Sequence, residues 1–251
     1  MSNLFWLSEE QFRRLSPLLP RDTRGVPRVD DRRVISGIIQ VLRSGCRWKD
    51  APSVYGPHKT LYNRFVRWAA KGVWQEVFTT LATVGGPPSA VLLDSTHVKA
   101  HRSAAGGKGG RRPQAIGRSR GGRTTKIHAV VDDRGRPIGF AVTPGQVGDV
   151  GVASSLLGPL PPAPLCVADG AYDSNGLRQF LIARGTRPVI PNNPTRKRFH
   201  AFDAEAYKQR NLIERMFCRL KDFRRIATRY DKLAANFAAA VYLAATVCYW
   251  L

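Results

Sequence analysis

The sequence predicts an α/β fold, a mixed sheet flanked by helices and preceded by a small all-helical unit. Three observations predict it. Apolar residues recur at helical spacing through the first eighty or so positions; after Gly85-Gly-Pro-Pro88 the pattern changes to short apolar runs of strand type; and those runs then alternate with helical segments. The break divides the chain into a helical unit, 1–85, and an α/β unit, 86–251.

In the first unit, Ser8 and Gln11 form a capping box for a helix that ends before Pro17, with Leu4, Phe5, Phe12, Leu15 and Leu18 as its apolar contacts. Asp30 or Asp31 caps a second helix, in which Val34, Ile35, Ile38, Ile39 and Leu42 share a face before Gly45 stops it. A third helix begins near Pro57 and carries Leu61, Phe65 and Trp68 on one side, with Lys59, Arg64 and Arg67 elsewhere; a short Trp74–Leu81 helix follows. Short helices with basic surfaces suit a helix-turn-helix-like DNA-binding unit, and a plain helical bundle is the competing expectation.

In the second unit the expected strands are Val91–Val98, Lys126–Val131, Pro137–Val142, Leu165–Asp169 and Arg187–Ile190, with Asp132-Asp-Arg-Gly135 as the hairpin turn between the second and third. Asp149 is expected to cap a helix reaching Leu157. Ser174 should cap another reaching Ala183, and one long helix should begin near Ala204. Three strands with a hairpin, then helix, strand, helix, strand, helix, is the order of a ribonuclease-H-like fold. From Leu233 to Leu251 run 19 uncharged residues, but seven are Ala and Asn236 and Thr246 interrupt them, so a packed buried helix is expected and no membrane span.

Charge narrows the function. Forty Lys and Arg against 18 Asp and Glu leave a formal charge of +22, which a polyanion would neutralise; nucleic acid is the first partner to consider. The excess is concentrated between the first two strands, where residues 99–126 hold nine Lys or Arg, seven Gly and no acid. Such a segment buries no core, should be flexible without a partner, and suits phosphate contacts through Arg111, Arg112, Arg118, Arg120, Arg123 and Lys126. The four cysteines have no metal-ligand spacing, and MSNLFWLSEEQF shows no secretory signal; both fit a reducing cytoplasm.

With acids so scarce, their placement is informative. Asp94 lies in the first apolar strand and Asp169 ends the fourth; the two strands are neighbours in a ribonuclease-H-like sheet, so the carboxylates should lie side by side and need a divalent metal or a proton between them. Glu214, one of five glutamates, stands among Tyr207, Arg210 and Lys221, which at 100° per residue lie about +20°, −40° and −20° from it around a helix. The stripe can face the two aspartates. An Arg210–Glu214 surface ion pair is the plainer explanation of the spacing, but such a pair has no need of Tyr207 or the aspartates. His97 and His101 are expected to be structural, and Asp173, like Asp149, a helix cap.

Tyr207-x2-Arg210-x3-Glu214-x6-Lys221 resembles the Y-R-E-K signature of DDE transposases of bacterial insertion sequences. Asp94 and Asp169 fall where the first two acids of that family belong. Asp94-Ser-Thr-His-Val-Lys-Ala-His101, Gln114-Ala-Ile-Gly-Arg-Ser-Arg-Gly-Gly122 and Asp169-Gly-Ala-Tyr-Asp173 resemble the insertion-sequence family numbered five, as does a short helical N-terminal domain over 1–85. The resemblance implies two Mg²⁺ ions, with Mn²⁺ able to substitute, held by Asp94, Asp169 and Glu214; cutting and joining of DNA strands; and Tyr207, Arg210 and Lys221 against DNA. It implies double-stranded DNA, both transposon ends and target, as partner, a homodimer on that DNA, and work at the nucleoid of a bacterial cytoplasm. A nuclease or resolvase of the same fold would keep the acids without joining strands. A non-enzymatic repressor would need only the basic helices.

Overall fold

The structure is a computed structural model that describes residues 4–20, 30–106 and 114–251. The helical unit comprises α1 (Glu9–Leu15), α2 (Asp31–Ser44), α3 (His58–Ala70) and α4 (Val73–Thr83). Ser8 and Gln11 close the capping box on α1, Asp30 accepts from the Arg33 N–H to cap α2, and Gly45 ends α2 in a left-handed conformation at φ 74°. Each cap was legible because it satisfies backbone groups that a helix end leaves unpaired.

The α/β part contains β1 (Ala90–Ala100), β2 (Gly117–Ser119), β3 (Gly122–Asp132), β4 (Pro137–Pro144), α5 (Val150–Leu157), β5 (Leu165–Ala168), α6 (Asn175–Ala183) and β6 (Arg187–Val189). It continues through α7 (Ala204–Tyr207), α8 (Asn211–Lys221), α9 (Arg224–Ala227), β7 (Thr228–Arg229) and α10 (Ala234–Ala245). The sheet has seven strands among the described residues. Its path is β2-β3-β1-β5-β6, with β4 paired to β3 and β7 to the end of β1. β1 runs antiparallel to β3 and parallel to β5, so the sheet is mixed as expected.

Two apolar layers cover it. Leu92, Ile127, Ala129, Val131 and Val167 face α8 and α10, whereas Val91, Leu93, Val130, Cys166 and Ala168 face α5 and α6. The first layer is continuous with the core of α1 to α4: Phe78 of α4 meets both Phe140 of β4 and Tyr242 of α10. The Ala-rich C-terminal run is buried at the centre of this core as α10 and a following π-helical turn, Thr246–Trp250. Among the described residues no helix is long and apolar enough to cross a membrane.

Two expectations are corrected. The long helix from Ala204 is broken by a 3₁₀ turn at Lys208–Arg210, where each residue advances about 120° and not 100°; the three tighter steps turn Tyr207 from about +20° to about −40° relative to Glu214, in line with Arg210 and still on the stripe. The basic segment is also less free than its composition implies. β1 extends into it to Ala100, β3 begins in it at Gly122, and Thr124, Thr125 and Lys126 are buried. Buried Arg229 is the reason: it donates to the carbonyls of Gln114 and Ala115, to Thr125 Oγ1 at 2.6 Å and to the carbonyls of Asp231 and Lys232, and its guanidinium lies over Phe237.

Candidate active site

Register places the first two acids. Leu92 pairs with Val167 and Leu93 with Ala168 across parallel β1 and β5, so the next positions, Asp94 and Asp169, stand opposite each other. Both follow the alternation of the layer facing α8. Asp94 is buried, and its Oδ1 accepts the Ser95 N–H at 2.7 Å. Burial pushes its pKa up, and the neighbouring charge of Asp169 adds to this, against the pull of the Ser95 N–H and Arg210. Asp169 is half-buried, and its Oδ1 accepts the Ala171 N–H at 2.9 Å, which also caps the following 3₁₀ turn.

Ile213, Met216, Phe217 and Leu220 pack α8 onto this side of the sheet, leaving Glu214 near the carboxylates on a more exposed line. Arg210, at the start of α8, joins the acids: its Nη2 donates to Asp94 Oδ2 at 2.7 Å and its Nη1 donates to Glu214 Oε1. Burial would lower the Arg210 pKa, but Asp94, Tyr207, Glu214 and Asp169 hold it up. Half-buried Tyr207 stacks edge-on against Phe202 at 5.3 Å, and burial raises its pKa. Lys221 Nζ donates to Thr96 Oγ1 at 2.6 Å, on the same face of β1 as Asp94.

Among the described residues no three His, Cys, Asp or Glu side chains are drawn together as a ready-made ion site. The donor chemistry nevertheless fits a hard divalent cation. Two carboxylates stand side by side, one of them buried and pushed towards protonation, and a third is within reach of the same guanidinium.

The remaining sequence-expected residues divide into several groups. Arg118 and Arg123 face each other across the β2–β3 hairpin, and with Arg120 they are exposed on it. Lys59 and Arg67 are exposed on α3. Arg111 and Arg112 lie outside the described residues. Arg64 is corrected: it is paired with Asp31 and lies over Trp68, so its charge is spent within the helical unit. Lys126 is corrected too, because its buried ammonium donates to the Val147 carbonyl and to Asp149 Oδ1, each at 2.9 Å.

Neither proposed aspartate cap uses its side chain as one. Asp149 accepts from Ser95 Oγ at 2.7 Å and from Lys126, and makes no cap bond to α5. Asp173 is clasped by Arg178 and Arg196, while Ser174 caps α6. His97 Nε2 lies 3.1 Å from the Gly145 carbonyl, and His101 caps a 3₁₀ turn. The Ser95–Asp149–Lys126 group is not legible as a unit in the sequence. Its only signal was a lysine inside an apolar strand run.

Two family models match the chain. Residues 85–251 match the family model "Transposase DDE domain", and residues 7–78 match "Putative transposase of IS4/5 family". The chain is 43% identical over 129 residues to a protein of Brucella ovis named "Putative transposase for insertion sequence element IS6501", covering 51% of this chain and 98% of that protein. It is 31% identical over 149 residues to the Burkholderia cepacia "Putative transposase for insertion sequence element IS402", covering 55% of this chain and 67% of that one. The fold is similar to that of a piggyBac transposase solved in a synaptic complex with hairpin DNA. That match has a TM-score of 0.53 at 10% identity, over 96% of this chain and 71% of the other.

Proposed function

Because the chain belongs to the transposase DDE domain family, it is a DNA transposase, and we propose that Asp94, Asp169 and Glu214 are its catalytic acids and hold two Mg²⁺ ions, with Mn²⁺ able to substitute. The family makes it an enzyme of the nucleotidyl-transfer type that works on DNA with divalent metal. The single observation that carries the residue assignment is the pairing of Leu93 with Ala168, which sets Asp94 beside Asp169 under the helix that carries Glu214.

When bound, the ions supply a water of lowered pKa and neutralise charge on the phosphate under attack. The protein's own residues do the rest. Asp94 and Asp169 are fixed by strand register and by backbone N–H groups, so they offer oxygens at defined positions. Arg210 and Lys221 offer positive charge beside them, where it stabilises the phosphate as charge develops on it. Half-buried Tyr207 would meet the DNA backbone or a base. The exposed arginines of the hairpin, together with Arg111 and Arg112, grip the flanking duplex. Lys59 and Arg67 give the helical unit, 1–85, its own contact with the transposon end.

Cutting two ends of one element calls for two such sites, so the proposal includes a homodimer on double-stranded DNA, acting at the nucleoid of a bacterial cytoplasm. The test is a plasmid carrying the element's ends, assayed for strand cleavage and strand transfer. Asp94→Asn, Asp169→Asn and Glu214→Gln should each abolish both while retaining DNA binding. Cleavage without joining by the wild-type chain would favour a nuclease; full activity in any one of the three variants would remove that residue from the site.

A further inference from the structure

Both oxygens of Asp94 are already engaged. Oδ1 accepts the Ser95 N–H and Oδ2 accepts Arg210 Nη2, each at 2.7 Å, while the other arm of the same guanidinium holds Glu214. Each carboxylate oxygen keeps a second lone pair, so the obstacle is charge: a divalent cation on Asp94 and Glu214 would lie beside the guanidinium that bridges them, and like charges repel. Cation loading at Asp94 and Glu214 is therefore opposed while Arg210 stays and favoured when it leaves. It has somewhere to go. Its side chain is 22% exposed, so a path to the surface is open. Its buried Nε makes no hydrogen bond, so the arginine is held by its two Nη groups and not by its full fork. A phosphodiester offers the same paired-oxygen geometry as the carboxylates it would give up.

We propose that Arg210 is the exchangeable internal counter-cation of the carboxylate set: it holds Asp94 and Glu214 in the DNA-free chain and passes to the DNA backbone when duplex binds, which makes divalent-cation affinity depend on DNA. The proposal rests on the assignment of Asp94, Asp169 and Glu214 as the metal-holding acids. Coupling of this kind is reciprocal, so cation should also tighten DNA binding. It would keep an idle transposase from loading metal and nicking solvent-exposed strands at random.

The experiment measures Mn²⁺ binding to the full chain at pH 8 by the loss of the free aquo-ion's electron paramagnetic resonance signal. It is run with and without a pre-cut duplex carrying the repeat that flanks the gene. Wild type should bind Mn²⁺ about ten-fold more tightly with the duplex than without it. Arg210→Gln should bind Mn²⁺ about ten-fold more tightly than wild type in the absence of DNA, and the duplex should add little to it. Equal wild-type affinity with and without duplex overturns the proposal, and this arm needs no variant to fold. So does an Arg210→Gln chain with a wild-type thermal midpoint that binds Mn²⁺ no better than wild type. Asp94→Asn separates the two levels: if it abolishes Mn²⁺ binding while Arg210 has no effect, only the coupling fails, whereas Mn²⁺ binding that survives Asp94→Asn overturns the acid assignment itself.

Discussion

The buried ammonium of Lys126 and the half-buried carboxylate of Asp149 form an ion pair at 2.9 Å on the face of the sheet opposite Asp94. Asp149 also takes the Ser95 hydroxyl, so the loop that follows β4 is tied to the residue next to Asp94. Removing one partner leaves an uncompensated buried charge. Asp149→Ala should therefore lower stability by about 3–5 kcal/mol in urea unfolding, whereas Lys126→Met combined with Asp149→Leu should recover most of the loss. A double variant as unstable as the single one would mean that packing, not charge, holds this corner.

The β2–β3 hairpin makes a contrasting prediction. Arg118 pairs directly with Arg123 across the strands, an arrangement that costs stability unless an anion lies over it. Replacing Arg118, Arg120 and Arg123 with Gln should reduce the slope of log affinity for DNA against log salt by about two to three units. Neutralising buried Lys126 should leave the slope unchanged. A slope equally insensitive to the three arginines would place the duplex elsewhere.

Asp173 ties the segment that follows β6 to the start of α6. Burial alone would raise its pKa, but Arg196, the Asn193 N–H and Arg178 outweigh it and hold the carboxyl well below the usual range. A depressed pKa adds stability above the unfolded value, about 3.9, and that stability is lost as pH falls through the folded value. The urea midpoint should thus drop between pH 6 and pH 3 in wild type. In Asp173→Asn it should be lower at pH 6 and change less over the same interval; an unaltered pH dependence would show that other carboxylates govern acid sensitivity.

These cases also show what sequence makes legible. Helix caps at Ser8 and Asp30 and the apolar strand runs are local, so periodicity finds them. The juxtaposition of Asp94 and Asp169 was legible because strand order follows from the order of elements. β3 extends beyond the expected strand, since Gly122-Arg-Thr-Thr125 has no apolar alternation and becomes strand through pairing of Gly122 and Arg123 with β2, of Thr124 and Thr125 with the outer half of β1, and through Arg229, over a hundred residues away. The 3₁₀ turn at Lys208–Arg210 contains neither Gly nor Pro; it accompanies the reach of Arg210 across to Asp94, a contact between residues 116 apart. Burial of charged groups by distant partners is what composition conceals, and it turned Lys126 and Arg64 from candidate DNA contacts into internal ties.

Lys221 is the remaining member of the helical signature, and its position makes the sharpest demand on the proposed chemistry. It lies seven residues after Glu214, about 10 Å along the helix axis at 1.5 Å per residue, too far to share its ligand role. Its ammonium donates to Thr96 Oγ1, two residues beyond Asp94 on the same face of β1, so it stands beside the acids as a point charge held by one hydroxyl. One hydroxyl is a weak claim on a cation, and a phosphate next to the cut would outbid it. Lys221→Ala should reduce strand transfer about a hundred-fold while Mn²⁺ binding and the thermal midpoint stay at wild-type values. Lys221→Arg should keep activity within about ten-fold, because charge at that place matters more than the shape of the group bearing it. Should Lys221→Ala transpose as wild type does while Glu214→Gln is inactive, the shared face of α8 would be an accident of helix periodicity, and the phosphate contact beside the acids would fall to Arg210 alone.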